Sequence, residues 1–420
     1  MSVFALVDVN NFYASCERVF QPALNNRPVI VLSNNDGCII ARSNEAKALG
    51  LKMGDPWYQQ KAFCKQHNIA VFSSNYALYG NMSARVMRCL AQFTPALEVY
   101  SIDEAFLRLE GIEPMALEPY AARVRETIHQ WTGLPVCVGL GPTKTLAKVA
   151  NHIAKKRTKK GTFDLSDPIQ QIATLPTVKV TDIWGVGRRW GARLHAMGIH
   201  NALELREVEP KLIRQQFNVV AERIVYELRG TACLDLETVQ PKRQIMSSRS
   251  FGQRVTDKND LLEAISSYAA RAAAKLRAQG SRTGGLSVFL HTNRFRQDTP
   301  QYRASTTWSF SYPTVDTRQI IHGARQCLTS LYKEGLEYQK CGVMLLDIAP
   351  ANAVQGDLFY APDYQRNEKL MAVMDQLNEQ MGRGTISFAA QGIGQPWQMK
   401  QQWRSPRYTT QWDELMVVHC

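Results

Sequence analysis

The sequence predicts an α+β chain: two modules of the ferredoxin-like split βαβ kind, a helical stretch between them and a tail after the second. Three observations predict it. Two separate segments run through strand, helix, strand, strand, helix, strand in the same order. The stretch between them holds only short helical patterns. The 420 residues are 45% hydrophobic and 21% charged, a globular balance over a length that calls for two to four domains.

In the first module, Val3 to Val9 is a continuous apolar run and reads as a buried strand. Asn10 and Asn11 follow and can cap a helix from Phe12 to about Phe20. Pro28 to Leu32 is a short β-branched strand, Asn34-Asn35-Asp36-Gly37 a strong turn, and Ser43 to Leu49 a helical segment closed by a second turn, Lys52 to Pro56. Leu97 to Ser101 and Ala105 to Leu109 are strand-like, with Ile102, Asp103 and Glu104 at a tight hairpin between them. Pro119 to Trp131 has helical periodicity, Pro135 to Gly141 is a strand ending in glycine, and Lys144 to Lys155 is helical. The segment after the first helix is an insertion in the six-element order.

A basic run, Lys155 to Lys160, then interrupts the chain, and short helices fill Leu165 to Leu228. Thr238 to Gln244 lacks periodicity, carries a proline and reads as a linker. The second module runs as strand (Ile245 to Val255), helix (Asp260 to Ala278), strands (Leu286 to Thr292, Ala304 to Phe310), helix (Thr317 to Glu334) and strand (Gln339 to Asp347). After Ile348 comes a Pro/Gly-containing tail with one helix, Glu368 to Met381.

The net charge is +13, which points to a polyanionic partner, either nucleic acid or an acidic membrane surface. From Lys242 to Lys340 there are sixteen Lys/Arg and seven Asp/Glu, whereas from Leu346 onward there are six and eight. Concentration in the second module suggests a groove for phosphates. The nine cysteines include no CxxC pair and no Cys/His cluster, which argues against a zinc site and suits a reducing compartment. The first residues have no basic leader region, and no run of about 20 apolar residues exists, so a cytoplasmic protein that does not span a membrane is expected.

Asp8 ends a strand, and Asp103 and Glu104 occupy a hairpin tip that the split βαβ order sets beside it. Three carboxylates at one sheet edge repel one another, and divalent cations resolve the repulsion; hard oxygen ligands select Mg²⁺. Two such ions could activate a hydroxyl and stabilise a leaving phosphate oxygen. An acid at a strand end and an Asp-Glu turn are common, however, and spacing alone favours that ordinary reading.

Four motifs occur in order: DVNNFYASCE (Asp8 to Glu17), IARSNEAKALGLKMGDP (Ile40 to Pro56), YSIDEAFLRL (Tyr100 to Leu109) and GLGPTKTLAKVANHIAKK (Gly139 to Lys156). Together they resemble the Y-family translesion DNA polymerases. SNNDGCIIARSNEAKALGLKMGDP and the tail GRGTISFAAQGIGQPWQMK resemble the UmuC branch, which supplies the catalytic subunit of bacterial DNA polymerase V. The resemblance covers nearly the whole chain. It implies a right-hand polymerase: residues 1–27 and 76–164 as a ferredoxin-like palm, 28–75 as small fingers, 165–237 as a helix-hairpin-helix thumb, and 238–244 as a linker. Residues 245–347 would be a ferredoxin-like little finger, and 348–420 a C-terminal region for clamp and partners.

The resemblance also implies roles. Asp8, Asp103 and Glu104, with the Val9 carbonyl, would hold two Mg²⁺ ions, with Mn²⁺ as a substitute. Tyr13 would be the steric gate against a 2′-hydroxyl and Phe12 its partner. Lys47 and Lys155 would hold the triphosphate, and Asn44 would contact the nucleotide. Many relatives carry Arg at the position of Lys47, so charge is kept there without a bidentate grip. Gly185, Gly187 and Arg188 resemble a backbone-phosphate hairpin. Arg249, Arg254, Lys275, Arg282, Arg294 and Arg296 are the phosphate candidates of the second module. Gln355, Leu358 and Phe359 resemble the peptide that binds the sliding clamp. The partners implied are primer-template DNA, dNTP, a UmuD′-type dimer, a RecA filament and the clamp, with no membrane, in the SOS response and on the nucleoid. Two other functions remain open at this stage. A metal-dependent nuclease would leave Tyr13, Lys47 and Lys155 unexplained, and an idle scaffold would leave the acidic triad without a use.

Overall fold

The computed structural model describes residues 3–237, 240–296, 298–352, 364–382, 384–415 and 417. The chain divides into two compact units, one of residues 1–238 together with 402–420, the other of residues 239–401.

In the first unit the apolar run forms β1 (Val3–Val9), buried at every position. α1 (Phe12–Phe20) follows from Asn11, whose backbone is left-handed at φ 50°, a conformation Asn tolerates better than most residues. The insertion folds as β2 (Val29–Leu32), β3 (Ile39–Arg42), α2 (Asn44–Ala48), α3 (Trp57–Gln66) and β4 (Ala70–Ser73), with a three-stranded sheet in the order β3-β2-β4. Next come α4 (Tyr76–Leu90), the hairpin β5 (Leu97–Val99) and β6 (Glu104–Leu109), α5 (Leu117–Thr132), β7 (Val136–Gly141), α6 (Lys144–Arg157) and β8 (Thr162–Asp164).

The resulting sheet has the order β5-β6-β1-β7-β8. β1 is central and antiparallel to both neighbours, as the split βαβ reading requires. Two details depart from that reading. β8 is a three-residue strand parallel to β7, too short for an alternation to show. The basic run does not interrupt the chain at Lys155, because Lys155, Lys156 and Arg157 form the last turn of α6, where cations complement the helix dipole.

Alternation along β1 sorts its side chains. Val3, Ala5, Val7 and Val9 pack into one core cluster, while Phe4 and Leu6 pack against Phe106 and Ala147 on the opposite, α6 side. α6 lies close on β7 because of two glycines: a Cβ at Gly139 would sit 2.1 Å from the Asn151 nitrogen, and one at Gly141 2.8 Å from that of Ala147. The Asn151 amide donates to the carbonyls of Leu6 (3.1 Å) and Cys137 (2.9 Å), fixing the helix over the sheet. The unit continues as α7 (Pro168–Thr174), α8 (Arg188–Ala196), α9 (Ala202–Glu207), α10 (Pro210–Gln216) and α11 (Val219–Leu228), of which α8 to α11 pack with α6 around a second apolar cluster.

The second unit contains β9 (Ile245–Val255), α12 (Lys258–Ala278), β10 (Ser281–Thr292), β11 (Arg303–Thr314), α13 (Thr317–Leu331) and β12 (Tyr338–Pro350). The element order is the expected one, but the strand order is β11-β10-β12-β9. The first strand therefore lies at an edge, where in the first unit it is central. α14 (Tyr364–Gln380) packs on this unit through Met371, fully buried, and a bidentate Arg277–Asp375 pair at 2.6 and 2.7 Å.

The tail expected at 348–420 is thus not one region. Residues up to 401 stay with the second unit, and those from 402 return to the first. There the Ser73 N–H donates to the Trp403 carbonyl and the Trp403 N–H to the Ser73 hydroxyl, each at 3.0 Å. Trp403 meets Trp57 edge-on at 5.3 Å, and Tyr408 stacks on Phe20 at 4.8 Å. No described helix is long and apolar enough to cross a membrane.

Candidate active site

Asp8 lies opposite Glu104 in the register of β1 with β6. It falls on the same side of the sheet as Phe4 and Leu6, under α6. Lys148 and Lys155 are seven residues apart on α6, two turns, and so share one stripe of its surface. Lys155 Nζ pairs with Asp8 Oδ1, and Lys148 Nζ with Glu104 Oε2 at 3.0 Å. Lys155 was expected from its motif. Lys148 was not; its spacing from Lys155 was the available signal. The Lys148 ammonium also lies over the rings of Tyr100 (4.4 Å) and Trp184 (5.2 Å).

Asp8 is 7% exposed. Burial pushes its carboxyl up to about 7, with Glu104 adding to the rise and Lys155 opposing it. Asp103 stands beside this pair. Its carbonyl accepts the Val9 N–H at 2.9 Å, while its carboxylate accepts the Ser101 hydroxyl at 2.6 Å. Ser101 Oγ in turn accepts the Glu104 N–H at 3.0 Å, so this serine shapes the hairpin tip. Among the described residues no three His, Cys, Asp or Glu side chains form a ready metal cluster. Asp8 and Glu104 converge, and Asp103 is turned to Ser101. The donors nonetheless suit a hard divalent cation: carboxylate oxygens at the end of a buried strand, at present neutralised by ammonium groups.

Tyr13 is half-buried, stacked on Tyr79 at 4.3 Å with Tyr76 edge-on at 6.5 Å. Phe12, the first residue of α1, is 3% exposed and belongs to the core cluster, with its ring 5.6 Å from that of Tyr13. Asn11 joins Asn44 and Lys47, with its Nδ2 donating to Asn44 Oδ1 at 3.0 Å and its Oδ1 accepting from Lys47 Nζ. Burial lowers the Lys47 pKa, and the nearby cations Arg42 and Lys155 lower it further. Two ammonium groups that repel each other beside a carboxylate pair form an environment that an anion would relieve.

Gly185 has φ 89°, and a Cβ there would meet Ile224 Cδ1 at 2.9 Å, so the turn before α8 needs glycine. Gly187 is the N-cap of α8, and Arg188, its first residue, is exposed. In the second unit Lys275 and Arg294 are exposed. Arg249 is half-buried near Met399, Arg254 pairs with Glu337 at 2.5 Å, and Arg296 pairs with Asp298. Arg282 is a correction: it is 7% exposed, pairs with Glu368 and donates to the Ala351 carbonyl at 3.2 Å, so it ties α14 to the sheet and does not face a phosphate. Gln355, Leu358 and Phe359 lie outside the described residues.

Residues 7–152 match the impB/mucB/samB family, residues 242–358 its C-terminal domain, and residues 368–418 a domain of unknown function (DUF4113). The chain is 48% identical over 422 residues to Protein UmuC of Salmonella typhimurium, spanning 99% of this chain and 100% of the relative. It is 45% identical to Protein ImpB of Salmonella typhimurium, over 99% of each chain. It is 29% identical to DNA polymerase IV of Pelotomaculum thermopropionicum, over 91% and 93%. Among solved structures, the Y-family DNA polymerase chimera Dbh-Dpo4(243-245)-Dbh superposes with a TM-score of 0.65 at 20% identity, over 83% of this chain and 99% of the other. The insertion ternary complex of Dbh DNA polymerase gives a TM-score of 0.55 at 20% identity over the same shares.

Proposed function

The chain belongs to the impB/mucB/samB family, on the UmuC branch of the Y-family DNA polymerases, and on that premise we propose that it is an error-prone DNA-directed DNA polymerase that copies past damaged template bases by two-metal nucleotidyl transfer. The observation that carries this reading is Asp8 set opposite Glu104 at the end of the central strand, with Asp103 one residue away.

Asp8, Asp103 and Glu104, with the Val9 carbonyl, would hold two Mg²⁺ ions. Bound there, the ions would activate the primer hydroxyl and neutralise the departing pyrophosphate. The remaining work falls to protein groups. Lys47 and Lys155 bring positive charge to the triphosphate; Lys155 releases Asp8 when that charge is needed elsewhere. Tyr13 offers its ring to the sugar and leaves no room for a 2′-hydroxyl. Asn44, tied to Asn11, borders the same pocket. Gly185 to Arg188 and the exposed cations Lys275 and Arg294 grip the DNA backbone without reading sequence.

The UmuC relationship extends the proposal to a polymerase V-like complex in the SOS response. A UmuD′-type dimer, a RecA filament and the sliding clamp are the partners, and the cytoplasmic nucleoid is the place of action. Gln355, Leu358 and Phe359 serve the clamp, and the 360–420 region serves the other two.

The test is primer extension with Mg²⁺ and dNTPs, with UmuD′ and RecA filament supplied, for the wild type and for Asp103→Ala with Glu104→Ala. Extension by the wild type and none by the double variant is expected. Primer shortening would replace the proposal with a nuclease, and equal extension by both proteins would strip the acidic site of its role.

A further inference from the structure

Tyr13 does not stand alone. Its ring lies nearly parallel to that of Tyr79, 16° apart at 4.3 Å. Tyr79 is fully buried, and its hydroxyl donates to Glu17 Oε1 at 2.6 Å. Glu17 is also fully buried, on α1 one turn beyond Tyr13. The same Glu17 oxygen accepts the hydroxyl of Ser405 at 3.0 Å, from the returning C-terminal segment. That segment holds a second point. The Asn75 side-chain oxygen caps α4, the helix that carries Tyr76 and Tyr79, while its amide donates to the carbonyls of Ser405 (3.0 Å) and Pro406 (3.1 Å).

A carboxylate is costly in a core, and an apolar residue of similar size would fill this space more cheaply. What Glu17 supplies is direction: one oxygen fixes two hydroxyls from distant parts of the chain. A ring excludes a 2′-hydroxyl only if it cannot retreat by a fraction of an ångström, so the discrimination depends on what stands behind it.

We propose that the C-terminal segment 402–408 is a sugar-specificity element of the polymerase, in which Ser405, Glu17 and Tyr79 are positioning residues that brace the Tyr13 ring from behind. This rests on the reading of Tyr13 as the steric gate. Braced, the ring rejects ribonucleotides. With the brace cut, Tyr79 gains freedom, Tyr13 yields, and ribonucleotides enter.

The test is single-nucleotide insertion by the full-length chain, with its partner proteins, comparing kcat/KM for a dNTP and the matching rNTP. Tyr79→Phe and Ser405→Ala each remove one hydroxyl and leave the packing in place. Each is expected to raise rNTP use relative to dNTP by about three- to tenfold, the scale of one or two hydrogen bonds, since the Ser405 hydroxyl also accepts from the Asn75 amide at 3.0 Å. Glu17→Ala should do the same, and Glu17→Gln, whose amide oxygen accepts both hydroxyls, should restore the wild-type ratio. Tyr13→Ala is the reference. If it relaxes selectivity while Tyr79→Phe and Ser405→Ala keep the wild-type ratio, or lower both rates together, the brace is wrong and the gate stands. If Tyr13→Ala itself keeps the ratio, the gate reading falls and the brace falls with it.

Discussion

Asp8 and Glu104 face each other across neighbouring antiparallel strands, and each is matched by a lysine from one helix, Lys155 and Lys148. The arrangement stores electrostatic cost at a buried site.

Relief of that cost is measurable. In metal-free buffer near neutral pH, Asp8→Asn should raise the melting temperature, by the equivalent of about 2 kcal/mol. Added Mg²⁺ should stabilise the wild type more than the variant. Calorimetry with and without EDTA reads both effects; a lower melting temperature for the variant would contradict the account.

Glu17 gives a pH prediction. Burial pushes its carboxyl from 4.5 up to about 7, against the donors Tyr79 and Ser405. The folded state therefore holds this proton more tightly than the unfolded state. Below the ordinary value the group makes no difference; as pH rises toward 7 it increasingly penalises the fold. Between about pH 5 and pH 8.5 the wild type should lose up to about 3 kcal/mol that Glu17→Gln retains. Urea midpoints of both proteins at the two pH values decide it, and identical pH slopes would refute it.

Gly139→Ala should be among the most damaging small changes in the chain. The added methyl would meet backbone atoms of Asn151 and Ala147 at 2.1 and 2.4 Å, which have no side-chain freedom to yield. α6 would lift, carrying Lys148 and Lys155 off the carboxylates. A loss of about 3 kcal/mol or more is expected, read as lower soluble yield and melting temperature.

The cations of the second unit should separate by role. Lys275→Ala and Arg294→Ala should each lower the slope of log affinity for DNA against log salt by about one, with little change in stability. Arg282→Ala should instead destabilise the protein and leave that slope nearly alone, because its guanidinium holds Glu368. Fluorescence anisotropy across a salt series, with melting curves alongside, checks both halves.

Much of this was legible in the sequence, for physical reasons. The run from Val3 to Val9 has no alternation, so a central strand was readable, and the hairpin at Asp103 and Glu104 followed from the strands beside it. Lys148 escaped because a lysine on an amphipathic helix resembles any solvated one until its seven-residue spacing from Lys155 is placed over the sheet. The edge position of β9 escaped because element order does not fix strand order. The return of residues 402–408 escaped because it is made of single hydrogen bonds and two ring contacts, with no periodicity to betray it. Arg282 reads as a phosphate candidate because a sequence displays charge and not burial.

That return has a consequence for synthesis. A ribosome delivers Trp403, Ser405 and Tyr408 only after the whole second unit, yet they pack with the first. N-terminal domains commonly fold while the rest is still being made; here the earlier-made half must wait for a segment made after the second unit. A nascent chain, or one ended early by a frameshift in the second unit, would carry the acidic site but lack the segment that fastens α1 to α4. We expect chains arrested near residue 390 to be cut by protease in the first unit and chains that include residues 402–408 to resist; equal resistance would show that the waiting does not occur. Synthesis past the second unit would then act as a checkpoint on the fold of the first.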